Sequence, residues 1–132
     1  MDIYQKSHGT TTDRFKIGSK NQTMTLTGVT EGAELVVLTN KDSVDLVASS
    51  TVFFTIYVLG QGTTNTAAYE IKGCYVSGSN TLTGNAVTTF KDTGNFNEPV
   101  VDVDGNNTIT VSCIGLENEM ILWTALINFI TV

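Results

Sequence analysis

The chain has 132 residues and a formal net charge of -6, with 41% hydrophobic but only 15% charged residues, so we expect one domain with its own core. No apolar run reaches the roughly 18–20 residues of a membrane helix. The first residues lack the apolar segment of a signal peptide. These features predict a soluble protein made in the cytoplasm, whose Cys74 and Cys113 remain thiols. The 22 Thr, 14 Val and 9 Ile favour strands over helices.

The first 22 residues form a basic segment ahead of an acidic body. Residues 1–22 carry a net charge of +2 and residues 23–132 a net charge of -8. The acidic body argues against nucleic-acid binding, which needs clustered Lys and Arg. The basic segment is interpreted either as a flexible terminus or as an extended arm that orders on a partner. In the second interpretation its contact residues are Tyr4, Lys6, Arg14, Phe15, Lys16 and Lys20.

The remaining residues, 23–132, predict a single β-sandwich domain. Alternation of polar and apolar residues predicts a strand at 23–27, and another strand follows at 34–39. Residues 44–47 predict a short edge strand. Residues 51–59 are apolar on both faces, which is typical of a central strand or of a strand in a subunit interface.

The second half of the chain continues the strand pattern to its end. Strands are predicted at 67–76, 81–90, 98–103, 108–114 and 120–132. The dipeptide Asp104-Gly105 predicts a tight hairpin between two of them, and Cys113 is expected to face the core as a small hydrophobic residue. About eight strands with short turns predict an all-β fold, an antiparallel, jelly-roll-like β-sandwich with an extended N-terminal arm.

Residue types that carry catalysis are scarce in this sequence. His8 is the single histidine and lies in the basic segment, outside the strand pattern, which is a poor place for a general base. Cys74, Cys113 and His8 show no zinc-ligand spacing. Residues 102–107 place oxygens at alternate positions, as a calcium loop does. A hairpin turn explains them better, because Gly stands at the fourth place rather than the sixth and Cys113 stands where the loop needs Glu. The sequence therefore predicts no enzyme, no cofactor and no metal site.

Residues 52–59 and 121–132 contain more apolar side chains than a two-layer sandwich needs to bury. One explanation is that loops and the partner sheet of the same chain cover them. The other explanation is packing against further copies of the chain, because homo-oligomers commonly close by symmetry. The candidate interface residues are Phe54, Leu122, Leu126 and Ile130.

A family resemblance is carried by four segments in a fixed order. They are a strand of aromatic and aliphatic residues at 52–60, an Ala-Ala-Tyr-Glu strand at 67–73, an Asp-x-Asn hairpin at 104–111 and a Trp-x-Ala strand at 121–125. In this order, residues 23–132 resemble a β-sandwich module of tailed-phage structural proteins, particularly those of cyanophages. The sequence has no fibre shaft and no coiled-coil heptads. It therefore resembles small capsid decoration, or cement, proteins more closely than tail fibres.

This resemblance implies a homotrimer that sits on the outer capsid surface where capsid subunits meet. It implies binding to the major capsid protein, synthesis in the host cytoplasm and no catalytic residue. A basic arm that lies along a neighbouring subunit fits such a role, and salt should then weaken docking.

Two other functions stay open at the level of sequence. One is a receptor-binding or carbohydrate-binding module at a fibre tip, with Tyr57, Tyr75 or Trp123 stacking on a sugar, although a Trp in so apolar a segment usually belongs to the core. The other is a small hydrolase with a pair of carboxylates. Its candidate acids are Glu70, Asp102, Asp104, Glu117 and Glu119.

Overall fold

The computed structural model describes residues 14–17, 22–41, 45–48, 50–76 and 81–131. Its strands, in chain order, are β1 (Arg14–Ile17), β2 (Gln22–Thr30), β3 (Leu35–Val37), β4 (Asp45–Ala48), β5 (Val52–Gln61), β6 (Thr66–Val76), β7 (Thr81–Asp92), β8 (Val100–Val103), β9 (Thr108–Ile114) and β10 (Ile121–Thr131). The described residues contain no helix that is long and apolar enough to cross a membrane. The predicted all-β sandwich is confirmed.

The sandwich consists of two sheets, A and B. Sheet B is formed by five long strands in the order β2-β10-β5-β6-β7. Every neighbouring pair is antiparallel. The segments with the strongest apolar character, β5 and β10, are central because each has a strand on both sides. The predictions of a central strand at 51–59 and of a long final strand are therefore confirmed.

The second sheet, sheet A, is built around β9. Ser112 pairs with Val100 of β8 and with Val37 of β3, so these two strands flank β9 on opposite sides. The other end of β9 pairs with β4, and β1 adds to β4 in parallel. Because β1 covers its second side, β4 is not an edge strand, and that prediction is wrong. The parallel pair also places the backbone of residues 14–17 in the sheet.

Alternation of side chains fills the space between the two sheets. In β9 the even spacing of Ile109, Val111 and Cys113 puts all three in the core, as predicted. In β6, Tyr69, Ile71 and Tyr75 point inward in the same way. Burial raises the pKa of the Cys113 thiol to about 12, which leaves it almost without the reactive thiolate at neutral pH.

Trp123 occupies the part of the core nearest the loops that follow β2 and β5. It is among the largest fully buried side chains, and its indole N–H donates to Thr30 Oγ1 at 3.1 Å. The ring of Phe96 meets it edge-on, with 5.5 Å between ring centroids. Gly60 lies under the indole, where a Cβ would come within 2.5 Å of the ring. Only glycine leaves room for so close an approach between strand and ring.

Asn107, at the end of the β8–β9 turn, connects the two sheets. Its backbone lies in the left-handed region, with φ at 62°. Its side-chain oxygen accepts a hydrogen bond from the hydroxyl of Tyr75, which belongs to β6 of sheet B. Its carbonyl oxygen accepts from the backbone N–H of Ala48 at 3.0 Å. One residue therefore ties the β8–β9 turn to β6 and to the end of β4.

The β8–β9 turn is organised by Asp104. Its Oδ1 accepts the backbone N–H groups of Asn106 at 2.8 Å and Thr108 at 3.0 Å. Those backbone bonds lower the pKa of Asp104 below the usual aspartate range, because they stabilise its charged form. The prediction of an Asp-Gly hairpin here is confirmed.

Candidate interaction surface

The outward side chains of sheet B form the face that we call the outer face. Strand pairing fixes its rows, because Leu126 lies beside Tyr57, and Ile130 lies beside Phe53. Eight large apolar side chains of this face are between 39% and 67% exposed. They are Val29, Phe53, Tyr57, Leu59, Phe90, Leu122, Leu126 and Ile130. Monomeric proteins rarely leave so many large apolar groups together in water.

Charge is absent from the part of this face that β2, β10 and β5 supply. These strands have 9, 11 and 10 residues and contain no Asp, Glu, Lys or Arg. Their outward positions, which we call the uncharged face, hold apolar residues together with Thr, Asn and Gln. The charged residues of sheet B belong instead to β6 and β7, and they are Glu70, Lys72, Lys91 and Asp92. The uncharged face therefore contrasts with a chain whose net charge is -6.

Two grooves cross the outer face. The first, about 330 Å³ in volume, is almost wholly apolar and is lined by Tyr57, Val58, Leu59, Ala68, Tyr69, Phe90, Thr124 and Leu126. The second, about 350 Å³, has more polar groups and is lined by Gln22, Thr23, Thr55, Tyr57, Asn128, Phe129 and Ile130. We call them the apolar groove and the polar groove. Tyr57 stands between them and contributes to both.

Three of the four predicted interface residues lie together on the outer face. Leu122, Leu126 and Ile130 recur at every fourth position of β10 and all point outward. Phe54 does not join them, because it is fully buried between the sheets. The prediction that Phe54 lies in an interface is therefore wrong by one position. Its neighbour Phe53 points outward instead. Whether the three outward residues contact another chain stays a prediction.

Sequence reasoning missed five residues of this face: Val29, Phe53, Leu59, Phe90 and, as an interface residue, Tyr57. The polar residues of β5 carry the signal that identifies three of them. Thr55 and Gln61 occupy odd positions, and a period of two then assigns every odd position of β5 to the outside. Phe90 gives no such signal, because it lies at an irregularity in the pairing of β6 with β7.

The predicted contact residues of the basic segment lie partly within and partly outside the described residues. Tyr4, Lys6 and Lys20 lie outside the described residues, as does His8. The backbone of Arg14, Phe15 and Lys16 belongs to β1. Of the three predicted sugar-stacking residues, Tyr75 and Trp123 are buried and only Tyr57 is exposed.

The candidate carboxylates do not gather into a cluster of the kind that holds a metal ion. No group of three or more His, Cys, Asp or Glu side chains lies close enough to hold a metal ion within the part of the chain that the structure describes. Glu119 instead holds a loop. Its Oε2 accepts the N–H groups of Thr64 at 2.8 Å and Asn65 at 2.9 Å, and its Oε1 accepts from the Asn65 side chain at 2.8 Å. These bonds lower the pKa of Glu119.

Replacing Glu119 with glutamine is expected to lower the melting temperature at neutral pH. A carboxyl group whose pKa is lower in the folded chain than in the unfolded chain stabilises the fold above the unfolded pKa, and this contribution is lost as the pH falls. The difference between wild type and Glu119→Gln should therefore shrink as the pH falls from about 5 to about 3. Thermal melts across this range test the prediction. Glu117→Gln, two residues away and exposed, is the matched control, and an equal effect of both changes would contradict the assignment.

Comparison with known proteins gives little. No known protein family matches the chain, and no curated protein matches it. Among solved structures, the Acinetobacter phage vB_ApiP_P1 tailspike protein aligns with 93% of this chain at 10% sequence identity and a TM-score of 0.34. The chain spans 24% of the length of that tailspike. So distant a match carries no argument about the function of this chain.

Proposed function

We propose that the chain is a structural protein of a tailed-phage virion, a decoration protein that trimerises on the outer capsid surface and bridges major capsid subunits. The observation that carries the proposal is the outer face of sheet B, a broad apolar surface that the described part of the chain leaves exposed. Such a surface favours an assembly role over a catalytic one. The resemblance of residues 23–132 to the phage module supplies the virion context.

The number of copies per virion tests this function directly. Purified particles of the phage that encodes the chain would be digested and quantified by mass spectrometry, with the major capsid protein as the internal scale and a known tail protein as the matched low-copy control. We expect a copy number comparable with that of the major capsid protein. A number equal to that of the tail protein would contradict the decoration role.

The basic segment gives a second test, and the fold sharpens its design. Deleting residues 1–13 removes Tyr4 and Lys6 but keeps β1, which pairs with β4. We expect capsid affinity to fall by about tenfold or more while the melting temperature stays within about 2 °C, because no residue of a described strand is removed. Co-sedimentation with undecorated capsids measures the affinity. Lys41→Ala, which removes an exposed positive charge elsewhere, should bind normally, and unchanged binding of the truncated chain would contradict the arm's role.

The polar groove favours one alternative, a receptor-binding module that recognises a glycan. Tyr57 offers an aromatic face, and Thr55 and Asn128 offer hydroxyl and amide groups beside it, which is the combination that sugar rings require. Binding of the purified protein to immobilised glycans, lost in Asn128→Ala and retained in Val100→Ala, would support this alternative. A copy number of a few per particle would support it as well.

A further inference from the structure

The outer face of sheet B has the size of a specific protein interface. Strands lie about 4.8 Å apart and rise about 3.3 Å per residue, so five strands of about ten residues present a face of roughly 24 by 33 Å, or about 800 Å² in projection. A standard interface buries about 800 Å² on each partner. The exposed apolar side chains of β5 and β10 lie in the middle of this area, where the hydrophobic centre of an interface is expected.

Charge restricts what can cover the face. A basic partner would gain most by contacting carboxylates, and the strands of the uncharged face contain none. A complementary surface must itself be apolar and uncharged, because a charged group buried against Leu126 or Ile130 would lose its hydration without an ion partner. The chain itself carries such a surface. Two acidic chains also repel each other least when they meet through uncharged strands.

Shape points in the same direction. Along β10 the outward side chains alternate between large and small, with Leu122, Leu126 and Ile130 separated by Thr124 and Asn128. The apolar groove lies directly beside this ridge and is lined by Tyr57, Leu59 and Phe90. With a ridge next to a groove of matching chemistry, the ridge of one copy can enter the groove of the next, a head-to-tail contact that can close into a ring.

We propose that a second copy of this chain covers the outer face, centred on the uncharged face, with apolar side chains of the neighbour seated in the apolar groove. The inference rests on the proposed function only for the number of copies, and it gives the trimer a contact surface. It adds Val29, Phe53, Tyr57, Leu59 and Phe90 to the interface and removes Phe54.

Light scattering on the purified chain tests the inference. At about 100 µM, where a contact with a micromolar Kd is saturated, the wild-type mass should be a multiple of 14.2 kDa. Leu126→Asp and Ile130→Asp should each give 14.2 kDa. Val100→Asp, an equally exposed apolar position on β8 of sheet A, is the matched control and should keep the wild-type mass. A monomeric wild type, or variants that keep the full mass, would overturn the inference.

A milder variant guards against misfolding. In Leu122→Thr the new side chain matches the neighbouring Thr124 and suits a strand. This variant should weaken association while the circular dichroism spectrum stays that of the wild type.

Salt provides an independent readout. Raising the ionic strength from about 0.05 M to about 0.5 M screens repulsion between acidic chains and should strengthen self-association, whereas it should weaken docking through a basic arm. Association that weakens with salt would also overturn the inference.

The result separates the two proposals. A dimer would support the contact surface and contradict the trimer, while a monomer with a capsid-like copy number would overturn the contact surface and leave the decoration role intact.

Discussion

Trp123→Ala is expected to lower the free energy of unfolding by about 3–5 kcal/mol, the range found when a large buried aromatic side chain is removed. Few neighbours can fill the space, because Gly60 has no side chain to move into it and Phe96 meets the indole only through its edge. The change also leaves the hydroxyl of Thr30 without the indole N–H that it accepts. Urea titration followed by circular dichroism measures the loss.

Two further variants separate packing from hydrogen bonding at this position. Thr30→Val keeps the shape but leaves the indole N–H without its acceptor, and about 1–3 kcal/mol is expected. Thr124→Ala, on the outward side of the same strand, is the surface control and should change stability by less than about 0.5 kcal/mol. A loss below about 1 kcal/mol in Trp123→Ala would contradict the central role of the indole in the core.

Asn107→Ala is expected to lower the free energy of unfolding by about 2–5 kcal/mol. Two effects add. Alanine at a φ of 62° costs roughly 1–2 kcal/mol, and removing the side-chain oxygen leaves the hydroxyl of buried Tyr75 without this acceptor, which costs about 1–3 kcal/mol. The same urea titration provides the measurement.

Matched variants separate the two effects at Asn107. Glycine tolerates the left-handed backbone, so Asn107→Gly should lose only the hydrogen bond. Tyr75→Phe removes the hydroxyl instead, and in its background Asn107→Gly should have little further effect, because the shared bond is already gone. Full additivity of the two changes would show that the Tyr75–Asn107 bond does not stabilise the fold.

Local patterns were sufficient to predict most of the strands and the β8–β9 hairpin. A period of two and an Asp-Gly turn are signals of neighbouring residues, and both depend on backbone geometry alone. The choice between Phe53 and Phe54 shows the limit of such patterns. When adjacent residues are equally apolar, only the polar members of the strand decide which side faces water, and the strand must be considered as a whole.

Pairings between distant segments could not be predicted from local patterns. The parallel addition of β1 to β4 joins two short strands 31 residues apart in register, and neither strand carries a signal for its partner. The hydrogen bonds from the loop at 62–65 to Glu119 are similar, since 54 or 55 residues separate the donors from the acceptor. Such contacts depend on the arrangement of the whole sandwich, which is why an isolated carboxylate gave no indication of its role.

The position of β10 within sheet B has a consequence for synthesis. β10 lies between β2 and β5, and Gln22 pairs with Phe129 across most of the chain. Until Thr131 has left the ribosome, β2 lacks its partner in the sheet, and β5 presents an open apolar edge. We therefore expect the sandwich to fold only after β10 has been synthesised, and to fold slowly, as in other proteins dominated by long-range strand pairs. During that interval the nascent chain is most exposed to aggregation through its strand edges.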